Sequence, residues 1–151
     1  MKPRLILLMN RAHRALKTAL ERETRRHLDL TSLEVTALFA LSERDGLGVQ
    51  ELARMLYVDH AVVSRLSKQL VRKGMVRRAA DPNDRRRSLL ALEGAGAVRA
   101  GVGLQLLGRA NARLLAGFTD DELAVVASFL EHIIDLGARD GLRVEPDGST
   151  P

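Results

Sequence analysis

The sequence contains no cysteine, which excludes disulfide bonds, thiolate metal sites and cysteine-based redox sensing. Aromatic residues are almost as scarce, with one tyrosine, three phenylalanines and no tryptophan. A hydrophobic core must therefore be built from Leu, Val, Ile and Ala. The hydrophobic fraction of 46% in 151 residues is enough for such a core, and the length fits about one domain.

Long apolar runs are also missing. The longest have five residues, as at 5–9 and 123–127, far short of the roughly 20 residues that a membrane span needs. The start of the chain does not match a signal peptide, which needs a longer apolar stretch and a small-residue cleavage site. We therefore expect a cytoplasmic protein with no membrane partner.

The positive charge is concentrated in the middle of the chain. The net charge is +5, and residues 47–92 hold ten Lys/Arg against four Asp/Glu, whereas the other residues hold 14 basic and 15 acidic side chains. A clustered basic segment is typical of a protein that binds a polyanion. A solvated basic surface gives the same pattern, so charge alone does not decide between them.

Hydrophobic periodicity predicts a mainly α chain with a small β-hairpin, an α+β class. Capping-box pairs at Thr31/Glu34 and Thr119/Glu122 mark two helix starts, and Asp59 is expected to cap the fourth helix with its side chain. Interior glycines make the fifth helix dependent on tertiary or partner contacts. The predicted helices cover 4–28, Thr31 to the turn at Asp45-Gly46-Leu47-Gly48, 50–57, Asp59 to Gly74, 94–117 and 119–137, and the predicted strands cover 75–80 and 87–92.

The basic segment reads as two short helices followed by a charged hairpin. In the second helix Val63, Leu66 and Leu70 form the buried stripe, which leaves a polar and basic face for the major groove of DNA. That face carries Ser64, Arg65 and Lys68, with His60 and Ala61 in the first turn. Lys68 and Arg77 are expected to contact phosphates, since most protein–DNA hydrogen bonds go to the backbone.

Residues 50–96 resemble the winged helix-turn-helix of the MarR family of bacterial regulators. The matching stretches are ELA at 51–53, VD at 58–59, VSRL at 63–66, Leu70, KGMVRR at 73–78 and the wing DPNDRR at 81–86. The helix order on both sides also fits, so the resemblance extends to about residue 138. It implies a single domain over 1–138, with a DNA-binding lobe at 31–92 and a helical dimerisation lobe at 4–28 and 94–138. The Gly, Pro and polar residues at the end of the chain predict a disordered tail at 139–151.

The resemblance implies a homodimer that represses palindromic operators and is released by a small aromatic effector; a DNA-binding regulator without an effector is the alternative. The DNA-binding residues are then His60, Ala61, Val62, Ser64, Arg65, Lys68, Arg77, Asp84, Arg85 and Arg86. Arg85 and Arg86 are candidates for a narrow minor groove, and the resemblance gives Arg86 a pairing with Asp84. The family often has hydroxyl residues at 61 and 62, where this chain keeps only a thymine-methyl contact through Val62.

The effector site implied by the resemblance is lined by Met9, His13, Lys17 and Phe39. Alternatively, His13 is an ordinary surface or packed histidine. The four histidines share no metal-ligand spacing, and no catalytic constellation or phosphate loop is present, so we expect no metal, no cofactor and no enzyme activity. A third hypothesis is a module that binds an anionic protein or lipid, but such a module does not need a helix pair followed by a charged hairpin.

One departure from the family concerns the entry to the fifth helix. Glu93 stands where the family usually has threonine, and Gly94 and Gly96 follow it in the joint that leads into the helix. Glutamate is a poorer N-cap, although its charge favours a helix start. These residues predict a loosely held joint between the wing and the long helix.

Overall fold

The structure, a computed structural model, describes residues 4–44, 46–84 and 87–138. Its elements follow the predicted order and confirm the mainly α class with a small sheet. They are α1 Leu5–Leu28, α2 Ser32–Glu43, β1 Leu47–Gly48, α3 Val49–Leu56, α4 His60–Arg72, β2 Val76–Ala80, β3 Ser88–Leu92, α5 Gly94–Leu115 and α6 Asp120–Ala138. The expected disordered tail lies outside the described residues, as do Asp45, Arg85 and Arg86.

The sheet has three antiparallel strands in the order β1-β3-β2. Strands β2 and β3 form the predicted hairpin, with Val76 opposite Leu92 and Ala80 opposite Ser88. Strand β1 was not predicted, because Gly48 was interpreted as part of a turn. Leu47 instead pairs with Leu90, and both are fully buried, so two residues suffice to close the sheet against the core.

The core is built from leucine, valine and alanine, as the scarcity of aromatic residues requires. The predicted stripes of α2 and α4 are both buried, and Leu38 and Val63 have no exposed surface. The aromatic side chains stay outside: Phe39 is half-buried, and Tyr57, Phe118 and Phe129 are exposed. This core supports one face of α4 along its length.

The chain divides into two compact units, residues 1–110 and 111–151. In the first unit, Glu21 of α1 accepts hydrogen bonds from the backbone N–H and the hydroxyl of Ser32 at the start of α2. Arg99 of α5 donates to the backbone oxygen of Leu28 at 2.7 Å. These contacts tie α1 to the start of α2 and α5 to the end of α1.

The described part of the second unit is the end of α5 and all of α6. The predicted capping box forms here, since Thr119 and Glu122 exchange hydrogen bonds at 2.9 and 3.3 Å. No residue of α6 is buried. Across the described ranges, no helix has both the length and the apolar character that crossing a membrane requires.

Candidate nucleic-acid interface

The turn between α3 and α4 aims the second helix of the pair. Tyr57 ends α3 in the left-handed conformation with φ of 52°, and α4 begins three residues later. Asp59 occupies the predicted N-cap position, but its side chain makes no capping hydrogen bond. Its backbone oxygen accepts from Val62 and Val63 instead, so the expected side-chain cap is corrected to a backbone one.

Helix α4 presents the predicted residues on one accessible surface. Val63, Leu66 and Leu70 are at most 5% exposed, which fixes the helix against the core. The candidates for DNA contact on the other side are all at least partly accessible: His60, Ala61, Arg65 and Lys68 are exposed, and Val62 and Ser64 are half-buried. The structure therefore brings six of the ten predicted DNA-binding residues together on one helix.

The carboxyl end of α4 is anchored by an ion pair. Lys73 Nζ lies 2.9 Å from Glu34 Oε1, and Gly74 follows with φ of 66°, the left-handed position that favours glycine. Glu34 also completes the capping box with Thr31. Burial raises the pKa of Glu34, but the hydrogen bonds from Lys73 and Thr31 outweigh it and hold the pKa below the ordinary value of 4.5.

A basic groove lies between α4 and β2. Its volume is about 490 Å³, and its lining residues are Arg65, Lys68, Gln69, Val71, Arg72 and Arg78. Sequence reasoning missed Arg72 and Arg78 as candidates. Arg72 lies four residues after Lys68 and seven after Arg65, a helical spacing that puts all three on one face and that was available in the sequence. Arg78 joins them only through tertiary structure.

The wing is closed at its base by Asp81. Its backbone N–H donates to the oxygen of Arg87, and its carboxylate accepts from the N–H of Asn83 at 2.8 Å. Arg87 also lies 3.8 Å from the same carboxylate. The backbone N–H of Asp84 donates to the oxygen of Asp81, but the predicted minor-groove residues Arg85 and Arg86, with the Asp84–Arg86 pairing, lie outside the described residues.

The joint at Glu93 is held tightly, and the prediction of a loose joint was wrong. The N–H of Glu93 donates to the oxygen of Met75 at 2.9 Å, and its carboxylate lies 3.2 Å from Arg77 Nε. A Cβ on Gly96 would collide with the carbonyl oxygen of Met75. The side chain of Arg77 is exposed, as a phosphate contact requires, but it forms an ion pair with Glu93.

The four candidates for an effector site fall on two helices. Met9, His13 and Lys17 follow one another at a spacing of four on α1, with Met9 half-buried and the other two exposed. Phe39 is half-buried on α2. The groove beside α4 is lined by none of them.

The geometry agrees with comparisons to known proteins. A model of the MarR family matches residues 30–88. The multiple antibiotic resistance protein MarR of Escherichia coli (strain K12) is 31% identical over 108 residues, which cover 71% of this chain and 75% of that protein.

Two solved structures are similar over most of their length. The MarR protein from Peptoclostridium difficile DA00132 matches with a TM-score of 0.84 and 22% identity, over 93% of this chain and 91% of that one. The S. aureus MepR–DNA complex matches with a TM-score of 0.77 and 20% identity, over 85% of this chain and 92% of that one. At these identities the likeness shows a common fold.

Proposed function

The chain belongs to the MarR family of transcription regulators, and from this premise we propose that it is a homodimeric repressor that reads palindromic operators with α4. It is a DNA-binding regulator and not an enzyme. The observation that carries the proposal is the accessible face of α4, where Arg65 and Lys68 have no acidic partner among the described residues. The opposite face is locked into the core, so the helix is a rigid reader.

The proposed readout divides the work among the predicted residues. His60, Ala61, Val62 and Ser64 sit in the first turns of α4, where base edges are reached, and Arg65 hydrogen-bonds a base. Lys68 and Arg77 neutralise phosphates, and the wing residues Arg85 and Arg86 contact the adjacent minor groove, with Asp84 as the pairing partner of Arg86. Because the partner is chromosomal DNA, we place the protein in the cytoplasm.

Dimerisation is proposed because of the apolar surface left uncovered. In α6, Val125 is 71% and Ile134 51% exposed, and in α1 Ile6 is 69% exposed. Helix α6 has 19 residues, and none of the 19 is buried. Such a helix needs another surface to be stable in water. A second copy of the chain supplies that surface in a symmetric dimer.

Two measurements test this proposal. Light scattering at micromolar concentration should give twice the 16.6 kDa chain mass. Selection from a random duplex library should yield a pseudo-palindrome with half-sites about one helical turn apart, since two symmetric helices enter successive major grooves. A monomer that binds DNA tightly, or selected sites without two-fold symmetry, would contradict the proposal.

Release by a small aromatic effector is the further part of the proposal. Its support is the exposed line of His13 and Lys17 on α1, a cation and an imidazole one turn apart. Thermal-shift screening of small aromatic acids tests it, because a ligand that binds only the folded state raises the melting temperature. A ligand that raises the melting temperature and also weakens operator binding supports release; the absence of any such ligand supports the effector-free regulator.

A further inference from the structure

The basic side chains around α4 divide into two groups by their partners. Lys73, Arg77 and Arg87 each lie within 4 Å of a carboxylate, so their charge is partly neutralised within the chain. The second group faces one groove, and none of its members has an acidic partner within the described ranges. These residues are Arg65, Lys68, Arg72 and Arg78.

The groove is lined on one side by a helix and on the other by a strand. Arg65, Lys68 and Arg72 line it from α4, and Arg78 lines it from β2. Arg78 pairs in register with the buried Leu90, which places it on the sheet face that turns toward the core. Its guanidinium reaches the helix, where Nη2 donates to Ser67 Oγ at 3.1 Å.

Ser67 fixes the position of this guanidinium. The serine is 1% exposed, and its hydroxyl donates to the backbone oxygen of Ser64 at 3.0 Å while accepting from Arg78. A guanidinium has five N–H donors, so the bond to Ser67 leaves others for a ligand. The buried hydroxyl therefore orients Arg78 without neutralising it.

We infer that this groove binds a backbone phosphate of the DNA duplex, with Arg72 and Arg78 as contacts beyond those already proposed. The inference rests on the proposed function and specifies how the same surface grips its partner. Four cations in one concavity repel one another unless an anion joins them, and a phosphate accepts several charge-assisted hydrogen bonds at once. The groove adjoins the reading face of α4, where the DNA backbone flanks the major groove.

The test is a salt series on Arg72→Ala and Arg78→Ala, with Arg22→Ala as the matched control. Arg22 is an exposed arginine of α1 outside the proposed interface. Each groove variant should weaken binding about tenfold at low salt, equally for the selected operator and for a scrambled duplex. The slope of log affinity against log salt should fall by about 0.9 per lost phosphate contact, and Arg22→Ala should match wild type.

Two further variants separate charge from structure at Arg78. Arg78→Lys keeps the charge and should keep the wild-type salt slope. Ser67→Ala keeps Arg78 but removes its anchor, so affinity should fall a few-fold with the slope unchanged. Melting temperature and dimer mass confirm that each variant is folded.

The outcomes distinguish this inference from the proposed function. Wild-type protein that binds no duplex at any salt would overturn both. Normal wild-type binding together with unchanged slopes in folded Arg72→Ala and Arg78→Ala proteins would overturn the groove alone.

Discussion

Glu34 serves two structural purposes with one carboxylate. It closes the capping box at the start of α2, and its other oxygen holds Lys73 at the end of α4. The first contact was predictable from the sequence, because capping boxes are local patterns. The second joins residues 39 positions apart and has no local signature. The role of Arg78 could not be predicted for the same reason, because its guanidinium is positioned by Ser67 of a different element.

Replacing Lys73 with methionine should lower the free energy of unfolding by roughly 1–3 kcal/mol at pH 7, because a buried carboxylate loses its charged donor. The cost stays in this range because the lysine end is 35% exposed and water can replace part of the contact. Urea unfolding measures it. Lys68→Met, a change at an exposed lysine, is the control and should shift stability by less than about 0.5 kcal/mol.

The lowered pKa of Glu34 makes part of the stability pH-dependent. A carboxyl whose pKa is lower in the folded state stabilises the fold above its unfolded pKa, near 4.5, and loses that contribution as the pH falls through the folded pKa. Glu34→Gln should therefore show a flatter decline of unfolding free energy between about pH 5 and pH 3 than wild type. Some decline should remain in the variant, because hydrogen bonds also lower the pKa values of Glu21 and Glu122. An equally steep curve in the variant would contradict this assignment.

At the scale of elements, the entry to α5 is the part that sequence reasoning misjudged. The two glycines suggested freedom, because composition does not reveal what lies beside them. At Gly96 the backbone of Met75 approaches too closely for a Cβ atom, whereas a Cβ atom at Gly94 would meet open space. Helix bounds, in contrast, were predicted to within about two residues, because hydrophobic periodicity and capping residues are patterns of neighbouring positions in the sequence.

These two glycines provide a matched pair of variants. Gly96→Ala should destabilise the protein by about 1–3 kcal/mol, because the added methyl forces the strand and helix apart. Gly94→Ala should be neutral or slightly stabilising, since alanine is the better helix former and meets nothing. Thermal unfolding of both variants is the measurement. Equal stability of the two would show that the close approach at Gly96 does not constrain the joint.

At the scale of the whole molecule, the first unit contains a well-formed core and the second presents apolar helix surface. This contrast is explained if folding is completed by a second copy of the chain. The fold and the family could be predicted from the sequence because the hydrophobic spacing, the Lys73-Gly74 turn and the wing motif at 81–86 are all local patterns. The basic groove did not follow, because it exists only once α4 and β2 are packed together.

The central claim is that α4 reads DNA sequence through Arg65, and a specificity profile of Arg65→Ala tests it most directly. Wild type, Arg65→Ala and Arg22→Ala are each titrated against the selected operator and against duplexes with single base-pair substitutions. Arg65→Ala should bind the operator about 1–3 kcal/mol more weakly and lose discrimination at one position in each half-site, while Arg22→Ala keeps both affinity and profile. An Arg65→Ala profile and affinity identical to wild type would contradict α4 as the reading helix.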